Sequence, residues 1–408
     1  MNCRHCYAEL QLCFLDLGAA PPSNAYISRE RLNSPEVYYP LRLMVCEQCW
    51  LVQTEDYAGR ETFFDGDYAY FSSVSTSWVA HAERYVRTVA ARFNLGPSSM
   101  VCEVAANDGY LLQFVQARGI PCFGIEPTRS TANAARAKGL MVVEEFFGVA
   151  LADALVAQGR AADLIAANNV LAHVPDINDF TSGFVHLLKP TGVATFEFPH
   201  LLRMVQHGQF DTAYHEHYSY LSLSTVDRIF KANGLQVFDV EEIPTHGGSL
   251  RVFAQRSDVG FHAVTPAVNA LIESERAAGM ASAEFYEHFQ HVAERIKNDL
   301  LAFLIQAHRE GRKVVAYGAA AKGNTLLNFA GIRRDLINLV CDAAPSKQGK
   351  WLPGSRIPIL SPEELLRCEP DYVLILPWNI APEVIQQNAR LVEKGVRFLT
   401  AVPELKII

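Results

Sequence analysis

One short segment of the chain concentrates side chains that can move protons. The sequence TAYHEHYSYLS covers residues 212–222 and places Tyr214, His215, Glu216 and His217 next to one another, in a chain with 13 histidines. Histidine can act as a general base near neutral pH, a carboxylate can orient it, and a phenol can donate a hydrogen bond. This composition favours acid–base chemistry.

The conformation of this segment decides which of its side chains can act together. In an extended strand, His215 and His217 would share one face and Glu216 would lie on the other. In a turn, all three could reach one pocket. A metal site is the alternative, but these two histidines lack the helical i, i+4 spacing of a zinc protease motif, and no third ligand is evident.

Four cysteines have the spacing of a structural zinc site. Cys3 and Cys6 are separated by two residues, as are Cys46 and Cys49, and four thiolates suit the tetrahedral coordination of zinc. The segment between the pairs is short and rich in turn residues, so that a metal would supply stability that its small core cannot. Free thiols are the alternative. A redox role is disfavoured because neither pair follows a strand in a βαβ unit.

Composition and charge exclude several classes of protein. The chain has 408 residues, a net charge of −8 and 50% hydrophobic residues, which is ordinary for a globular protein of two or three domains. No block of lysine and arginine indicates a nucleic-acid surface, and no apolar run is long enough to span a membrane. The N-terminus MNCRHCYAEL lacks the pattern of a signal peptide. We therefore expect a cytoplasmic protein without nucleic-acid or membrane partners.

Strand and helix patterns alternate at short intervals after the cysteine-rich segment. This alternation predicts a doubly wound parallel sheet up to about residue 255. A long helical region and a second, smaller α/β unit with four candidate strands follow. The predicted domains are a zinc-binding domain at 1–65, an α/β domain at 66–262, a helical connector at 263–310 and a Rossmann-like domain at 311–408.

The predicted ends of the parallel strands indicate an adenosine cofactor. The loop AANDG follows the first strand, and the second strand ends in Glu126, which can bind ribose hydroxyls. Ala105 and Ala106 replace the first glycines of a dinucleotide fingerprint, and Asp108 would repel a pyrophosphate. S-adenosylmethionine is therefore favoured, with an ordinary βαβ turn as the alternative. The residues predicted to bind the cofactor are Glu103, Ala105, Asn107, Asp108, Gly109, Glu126, Asn168 and Asn169.

The order of the motifs resembles a known family. The paired cysteines are followed by NDG, GIEP, NNVLAHVPD, YHEHYSYLS, GGSLRV and GAAAKGNTLLN, over nearly the whole chain. This order resembles the S-adenosylmethionine-dependent sugar C-methyltransferases that act at C3 of nucleotide-linked 4-keto-deoxyhexoses. The resemblance implies an α/β fold with a zinc-binding N-terminal domain, a central class I methyltransferase domain and a C-terminal Rossmann-like domain. The family usually has a glycine where this chain has Ala105.

The resemblance also implies roles for individual residues. Methylation of carbon needs a carbanion, which forms as an enolate when a base removes the C3 proton beside a keto group. By its match to the family motif, His217 is the base, Glu216 orients a histidine or contacts the sugar, and Tyr214 donates to the keto oxygen. His173 is expected near the sugar and the cofactor's methyl group, and Tyr68 is expected to contact the sugar.

Further substrate contacts are expected between the domains. The segment YGAAAKGNTLLN follows a strand and opens a helix, whose N-terminus favours phosphate. Lys322 adds positive charge there and Asn324 adds donors, with plain Rossmann packing as the alternative. Tyr70 is predicted to contact the sugar, or else to pack in the core. The segment HGGSLRV at 246–252 brings backbone close to the active site or forms a tight turn.

Other functions are also compatible with the sequence. An O- or N-methyltransferase would differ in the position of the methylated atom. A nucleotide-sugar-binding protein with a degenerate cofactor site, and an NAD-dependent oxidoreductase, are the other candidates. The expected substrate is a dTDP-linked 4-keto-deoxysugar, and the sequence is compatible with a monomer.

Overall fold

The computed structural model describes residues 1–57 and 71–408. The described residues form sheets of four, seven and six strands. The strands are β1 (Leu12–Ala20), β2 (Tyr39–Val45), β3 (Val52–Thr54), β4 (Val101–Val104), β5 (Cys122–Ile125), β6 (Val142–Val143), β7 (Ala162–Asn168), β8 (Leu188–Pro199), β9 (Ser219–Tyr220), β10 (Leu235–Ile243), β11 (Ser249–Arg256), β12 (Val314–Tyr317), β13 (Val340–Cys341), β14 (Ile359–Leu360), β15 (Tyr372–Ile375), β16 (Arg397–Thr400) and β17 (Lys406–Ile407).

Helices cover these sheets and connect their parallel strands. They are α1 (Thr76–Arg92), α2 (Leu112–Gln116), α3 (Arg129–Ala137), α4 (Val149–Ala157), α5 (Ile177–Leu187), α6 (Leu201–Gln206), α7 (Leu223–Ala232), α8 (Pro266–Ala277), α9 (Glu284–Glu287), α10 (Phe289–Arg309), α11 (Ala321–Phe329), α12 (Glu363–Cys368), α13 (Ala381–Gln387) and α14 (Ala389–Glu393). None of the described helices has the length and apolar character needed to cross a membrane.

The central sheet has the strand order β10-β11-β8-β7-β4-β5-β6. Strands β4 to β8 are parallel, as predicted, and their short apolar runs are buried on both faces. Strand β11 is antiparallel to both of its neighbours, β8 and β10. This finding corrects the prediction of a wholly parallel sheet. The reason is the connection: residues 244–248 are too few for a crossover and can only close a hairpin.

The N-terminal sheet has the order β1-β2-β3-β9. Its fourth strand comes from the segment with the clustered histidines, because Tyr220 pairs with Val52 and Ser219 pairs with Gln53. The sheet thus joins two parts of the chain that are far apart in sequence. It also ties the histidine-rich segment to the cysteine-rich domain.

The core of the N-terminal sheet is shared with the C-terminal part of the chain. Phe14 stacks on Phe289 with ring centroids 4.7 Å apart and meets Tyr286 edge-on at 5.8 Å. Both partners belong to the region predicted as a helical connector, whose helix α10 contacts β1 as well as β12. These helices are therefore packed between domains, and the predicted domain boundaries stay predictions.

The C-terminal sheet has the order β14-β13-β12-β15-β16-β17. Its strands are parallel except for β17. The four predicted strands correspond to β12, β13, β15 and β16. The two remaining strands, β14 and β17, have two residues each and are too short to show a periodic pattern in the sequence.

A buried carboxylate joins helix α8 to the central domain. Glu275 is 0% exposed and accepts hydrogen bonds from the backbone N–H groups of Leu223 and Ser224 at 2.7 and 2.8 Å, which begin helix α7. His200 Nε2 donates to the same carboxylate at 2.7 Å. Because the first N–H groups of a helix lack partners within the helix, Glu275 satisfies donors that would otherwise be buried unpaired.

We expect the substitution Glu275→Ala to lower the free energy of unfolding by about 3 kcal/mol, because it leaves a buried histidine and two helix N–H groups without an acceptor. Thermal and denaturant unfolding of the purified variant would measure the loss. The control is Glu273→Ala on the same helix, whose side chain is 69% exposed. Equal stability of the two variants would contradict the bridging role of Glu275.

Candidate active site

A cavity of about 350 Å³ lies where the three sheets come together. Asn24 reaches it from the N-terminal domain, Glu126 from the central sheet, and Lys322 from the C-terminal domain. The predicted site residues that line it are Ala105, Asn107, Glu126, Asn168, Asn169, His173, Tyr214, His217 and Lys322. The predicted residues that do not are Glu103, Asp108, Gly109, Glu216 and Asn324. Tyr68 and Tyr70 lie outside the described residues.

The ends of β5 and β7 form the part of the cavity that suits an adenosine cofactor. Glu126 follows β5, and its two carboxylate oxygens accept hydrogen bonds from the N–H groups of Asn107 and Thr128, each at 2.9 Å. The side-chain amides of Asn168 and Asn169 are buried, and none of their polar atoms has a partner among the described residues. Such groups are rarely left unpaired. They therefore fit a polar ligand such as the amino-acid end of S-adenosylmethionine.

Three residues predicted to contact the cofactor do not line the cavity and lie in or beside the loop that follows β4. Glu103 lies within β4 and is 1% exposed. Asp108 accepts a hydrogen bond from the Ser73 N–H at 3.3 Å and lies 3.6 Å from the Lys138 ammonium. A Cβ on Gly109 would lie 2.2 Å from the Leu140 side chain and 3.3 Å from that of Ala135. None of the three residues is among those lining the cavity, and their contact with the cofactor stays a prediction.

The cofactor loop contains a strained residue. Ala105 has φ 59°, the left-handed conformation that favours glycine, and it lines the cavity. For an L-residue this conformation costs about 1 kcal/mol. This geometry explains why a glycine is expected at the position and shows that the loop keeps its shape with alanine.

The histidine-rich segment forms a tight turn at the other end of the cavity. The His217 N–H donates to the Tyr214 carbonyl at 2.9 Å, and His217 Nδ1 lies 3.0 Å from the Thr212 carbonyl. A carbonyl can only accept, so Nδ1 carries the proton and Nε2 carries the lone pair. Burial lowers the pKa of His217 well below its ordinary value. His217 is therefore a neutral imidazole able to accept a proton.

Two aromatic rings hold His217 in place. The Tyr214 ring centroid lies 3.9 Å from that of His217 at an interplanar angle of 34°. The His173 ring meets His217 edge-on at 4.6 Å, and burial lowers the pKa of His173 to about 4. The three side chains form one cluster on the cavity wall.

His215 and Glu216, in the same turn, are not among the residues that line the cavity. His215 Nε2 donates to the Tyr39 carbonyl at 3.2 Å. Glu216 accepts a hydrogen bond from the Asn24 amide at 3.1 Å, and burial raises the pKa of its carboxyl to about 7. Of the three residues that a turn could bring to one pocket, only His217 lines it. His215 and His217 have different neighbours, which disfavours a shared metal ion.

The C-terminal domain contributes two lysines to the cavity. Lys322 Nζ donates to Asn379 Oδ1 at 2.9 Å and lies 4.5 Å from the centre of the Trp378 ring. Lys347 Nζ donates to the Ala319 carbonyl at 2.9 Å and lies 3.5 Å from the Asp342 carboxylate. The predicted residue Asn324 is buried inside α11 and is 1% exposed.

Sequence reasoning missed some of the cavity residues. Lys347 follows β13, and the carboxyl end of a parallel strand is the signal that could have found it. Asn24 and Trp78 also line the cavity, but nothing in their sequence context distinguishes them from surface or core residues. His246 belongs to the segment HGGSLRV, where the sequence drew attention to the backbone and not to the ring.

The four paired cysteines converge on one point. Their sulfur atoms all lie within 4.8 Å of one another, with Cys3 and Cys49 3.5 Å apart and Cys6 and Cys46 3.4 Å apart. Four thiolates around one zinc ion stand roughly 3.8 Å apart, so that the set fits zinc. Gln53 Nε2 donates to Cys3 Sγ at 3.3 Å, the kind of outer contact that orients a metal ligand.

The fold and the site together define a methyltransferase that depends on S-adenosylmethionine and carries a zinc-binding domain. Three family models match the chain: a zinc binding domain at 3–64, a methyltransferase domain at 78–240 and a C-methyltransferase C-terminal domain at 244–403. The C-methyltransferase NovU of Streptomyces niveus is 33% identical over 407 residues, which cover 100% of this chain and 96% of the relative. The chain belongs to the C-methyltransferase family.

Two solved structures align with less than half of the chain. The PH0226 protein of Pyrococcus horikoshii OT3 is 11% identical with a TM-score of 0.37, covering 46% of this chain and 95% of its own. Magnesium protoporphyrin IX methyltransferase of Synechocystis PCC 6803 with bound SAH is 17% identical with a TM-score of 0.35, covering 44% of this chain and 83% of its own.

We expect the purified protein to contain about one zinc ion per chain, and Cys46→Ser to lose it, because three thiolates no longer complete a tetrahedral site. Elemental analysis by mass spectrometry would measure the zinc content, with the exposed Cys13→Ser as control. Full zinc content in the Cys46→Ser variant would contradict the four-cysteine site.

Relief of the strain at Ala105 is expected to stabilise the protein. Ala105→Gly should raise the free energy of unfolding by up to about 1 kcal/mol and keep or improve the affinity for S-adenosylmethionine. The neighbour Ala106 is 0% exposed, so that Ala106→Gly should lower stability by a similar amount. Unfolding curves and a calorimetric cofactor titration would test the pair. Destabilisation by both substitutions would refute the strain at Ala105.

Proposed function

We propose that this C-methyltransferase transfers a methyl group to C3 of a nucleotide-linked 4-keto-6-deoxyhexose by way of an enolate. The observation that carries the proposal is the His217 imidazole, whose Nδ1 proton is held by the Thr212 carbonyl so that Nε2 is left to accept a proton. A carbon acid needs such a base, and a keto group beside the carbon makes its proton removable. The resemblance of the motifs to sugar C-methyltransferases supports the same substrate class.

The cofactor would lie against the ends of β4, β5 and β7. Glu126 would hold the ribose, and the unpaired amides of Asn168 and Asn169 would hold the amino-acid end. When bound, S-adenosylmethionine supplies the electrophilic methyl group that C3 takes up. These residues and His217 line the same cavity.

His217 would start the reaction by accepting the C3 proton at Nε2. The electron pair of the C–H bond then forms the C3–C4 double bond, and the keto oxygen takes up the negative charge. A low pKa keeps His217 unprotonated at neutral pH. The imidazole therefore needs no prior loss of a proton before it accepts the one from C3. After methyl transfer to C3 restores the keto group, His217 releases its proton to solvent.

The neighbours of His217 would orient the base and the sugar. Tyr214 packs against the base with its ring tilted and can donate its hydroxyl to the keto oxygen. His173 stays neutral because of its low pKa, so that it adds no positive charge beside His217. Glu216 would act through Asn24, to which it is hydrogen-bonded and which lines the cavity. Glu216 is in this sense a positioning residue.

The diphosphate of the substrate would lie in the C-terminal part of the cavity. Lys322 and Lys347 bring two ammonium groups to this part, and the N-terminus of the nine-residue helix α11 opens there without a side-chain cap. Helix N-terminal N–H groups and lysines both favour phosphate. A nucleoside diphosphate such as the dTDP group fits this charge better than a neutral sugar does.

Loss of the base should stop both proton exchange and methylation. We expect His217→Asn to lower the rate of deuterium entry at C3 and of methyl transfer by at least about 10²-fold, because no other group takes over the proton. Mass spectrometry of reactions in D₂O with dTDP-, GDP- and CDP-linked 4-keto-6-deoxyhexoses would measure both rates.

The matched control is His215→Asn, two residues away in the same turn, whose side chain bonds to Tyr39 and does not line the cavity. This variant should keep most of the wild-type rate. Full turnover by a folded His217→Asn variant would remove His217 as the base. Methyl gain on oxygen or nitrogen in place of C3 would contradict the proposed reaction.

A further inference from the structure

The hairpin between β10 and β11 carries a strained histidine into the cavity. His246 has φ 54° and ψ 22°, a left-handed conformation that costs a β-carbon-bearing residue about 1 kcal/mol. Its ring lines the cavity. Strained residues of this kind persist where the surrounding structure holds them and are concentrated at functional sites.

Two glycines in this hairpin allow side chains from neighbouring parts of the fold to pack closely against it. Gly247 has φ 89°, its carbonyl accepts a hydrogen bond from Gln209 Nε2 at 2.8 Å, and a Cβ on it would lie 2.5 Å from the Trp378 ring. Gly248 has φ 115° and donates its N–H to the Thr245 carbonyl at 3.0 Å. Trp378 of the C-terminal domain therefore packs against the turn beside His246. This contact fixes the backbone that carries the His246 ring.

A buried network supports the ring from the other side. The Trp78 ring lies 5.1 Å from His246 and stacks on His81 at 4.8 Å. His81 Nε2 lies 2.8 Å from the Glu197 carboxylate, which pairs with Arg251 at 2.6 Å. None of these contacts uses a polar atom of His246. The network holds the plane of the ring without occupying its nitrogens.

The His246 imidazole has no hydrogen-bond partner among the residues that the structure describes. It differs in this from the two other histidines on the cavity wall, since His217 is bonded to the Thr212 carbonyl and His173 to the backbone of Glu216. A half-buried imidazole without a partner among residues 1–57 and 71–408 is available to a ligand. The ligand of this cavity is the methyl acceptor or the cofactor.

The surroundings of His246 keep its imidazole neutral, and a neutral imidazole can donate a hydrogen bond. Burial, followed by the nearby Lys322 ammonium, lowers the pKa of His246 to about 4. A neutral imidazole always carries one N–H, and a hydrogen bond from it to an oxygen becomes stronger as negative charge develops on that oxygen.

We propose that His246 is a further catalytic residue, which donates a hydrogen bond to the C4 oxygen of the sugar as that oxygen becomes the enolate oxygen. The inference rests on the proposed function. In the step, the C3 proton moves to His217, the C–H electron pair forms the C3–C4 double bond, and the carbonyl electron pair moves to oxygen. The His246 proton stays on its nitrogen, and Tyr214 supplies the second donor.

The test compares two variants that tolerate the left-handed backbone. His246→Gly removes the ring and relieves the strain, whereas His246→Asn keeps a shorter N–H donor in a residue that accepts this conformation. We expect His246→Gly to lower both the C3 exchange rate and kcat by about 10²- to 10³-fold, as for the loss of an oxyanion donor. The KM for S-adenosylmethionine should be unchanged, and His246→Asn should recover part of the rate.

The control is His186→Asn, an exposed histidine bonded to Asp153 far along helix α5, which should exchange and methylate at the wild-type rate. Wild-type exchange and turnover in His246→Gly would overturn the role of His246. A loss confined to KM for the sugar or the cofactor would also overturn it, in favour of binding alone. Absence of exchange in the wild-type protein with every sugar would overturn the proposed function itself and this inference with it.

Discussion

The pairing of β3 with β9 is the interaction on which the site depends. Tyr220 and Ser219 pair with Val52 and Gln53, and the Thr54 hydroxyl donates to the His217 carbonyl at 3.1 Å. The same Gln53 side chain donates to Cys3 Sγ at the cysteine cluster. The backbone of the histidine turn is thus anchored on a sheet that zinc stabilises, so that the metal contributes to the site without approaching the cavity.

The second constraint is that the cavity exists only where three domains meet. Asp211 lies between α6 and β9 and accepts a hydrogen bond from Trp378 Nε1 at 2.8 Å. The Trp378 ring in turn supports the Lys322 ammonium on one side and the hairpin at Gly247 on the other. Trp378 therefore positions both Lys322 of the C-terminal domain and the hairpin of the central sheet, which lie on different walls of the cavity. Separation of this domain would expose a half-formed site.

Burial gives the histidines of the cavity their chemical character. His173, His217 and His246 all have pKa values lowered first by burial, and the nearby Lys322 ammonium lowers those of His217 and His246 further. Because the three imidazoles are neutral, they do not repel one another. One of them can accept a proton while the others donate hydrogen bonds. Charged histidines at the same spacing would each destabilise their neighbours. Burial is the main cause of the low pKa of His217, and the lysine that is proposed to bind phosphate acts in the same direction.

The sequence by itself determined the chemistry available to this protein. The two cysteine pairs, the alternation of strands and helices, Glu126 at a strand end and the histidine-rich segment are local patterns, and local patterns follow from spacing and periodicity. Tertiary structure decided which side of the turn faces the cavity: His217 lines it, while His215 and Glu216 bond to Tyr39 and Asn24. It also decided the antiparallel edge of the central sheet and the roles of Lys347 and Glu275. These outcomes depend on partners that lie far away in sequence, and no local pattern specifies such a partner.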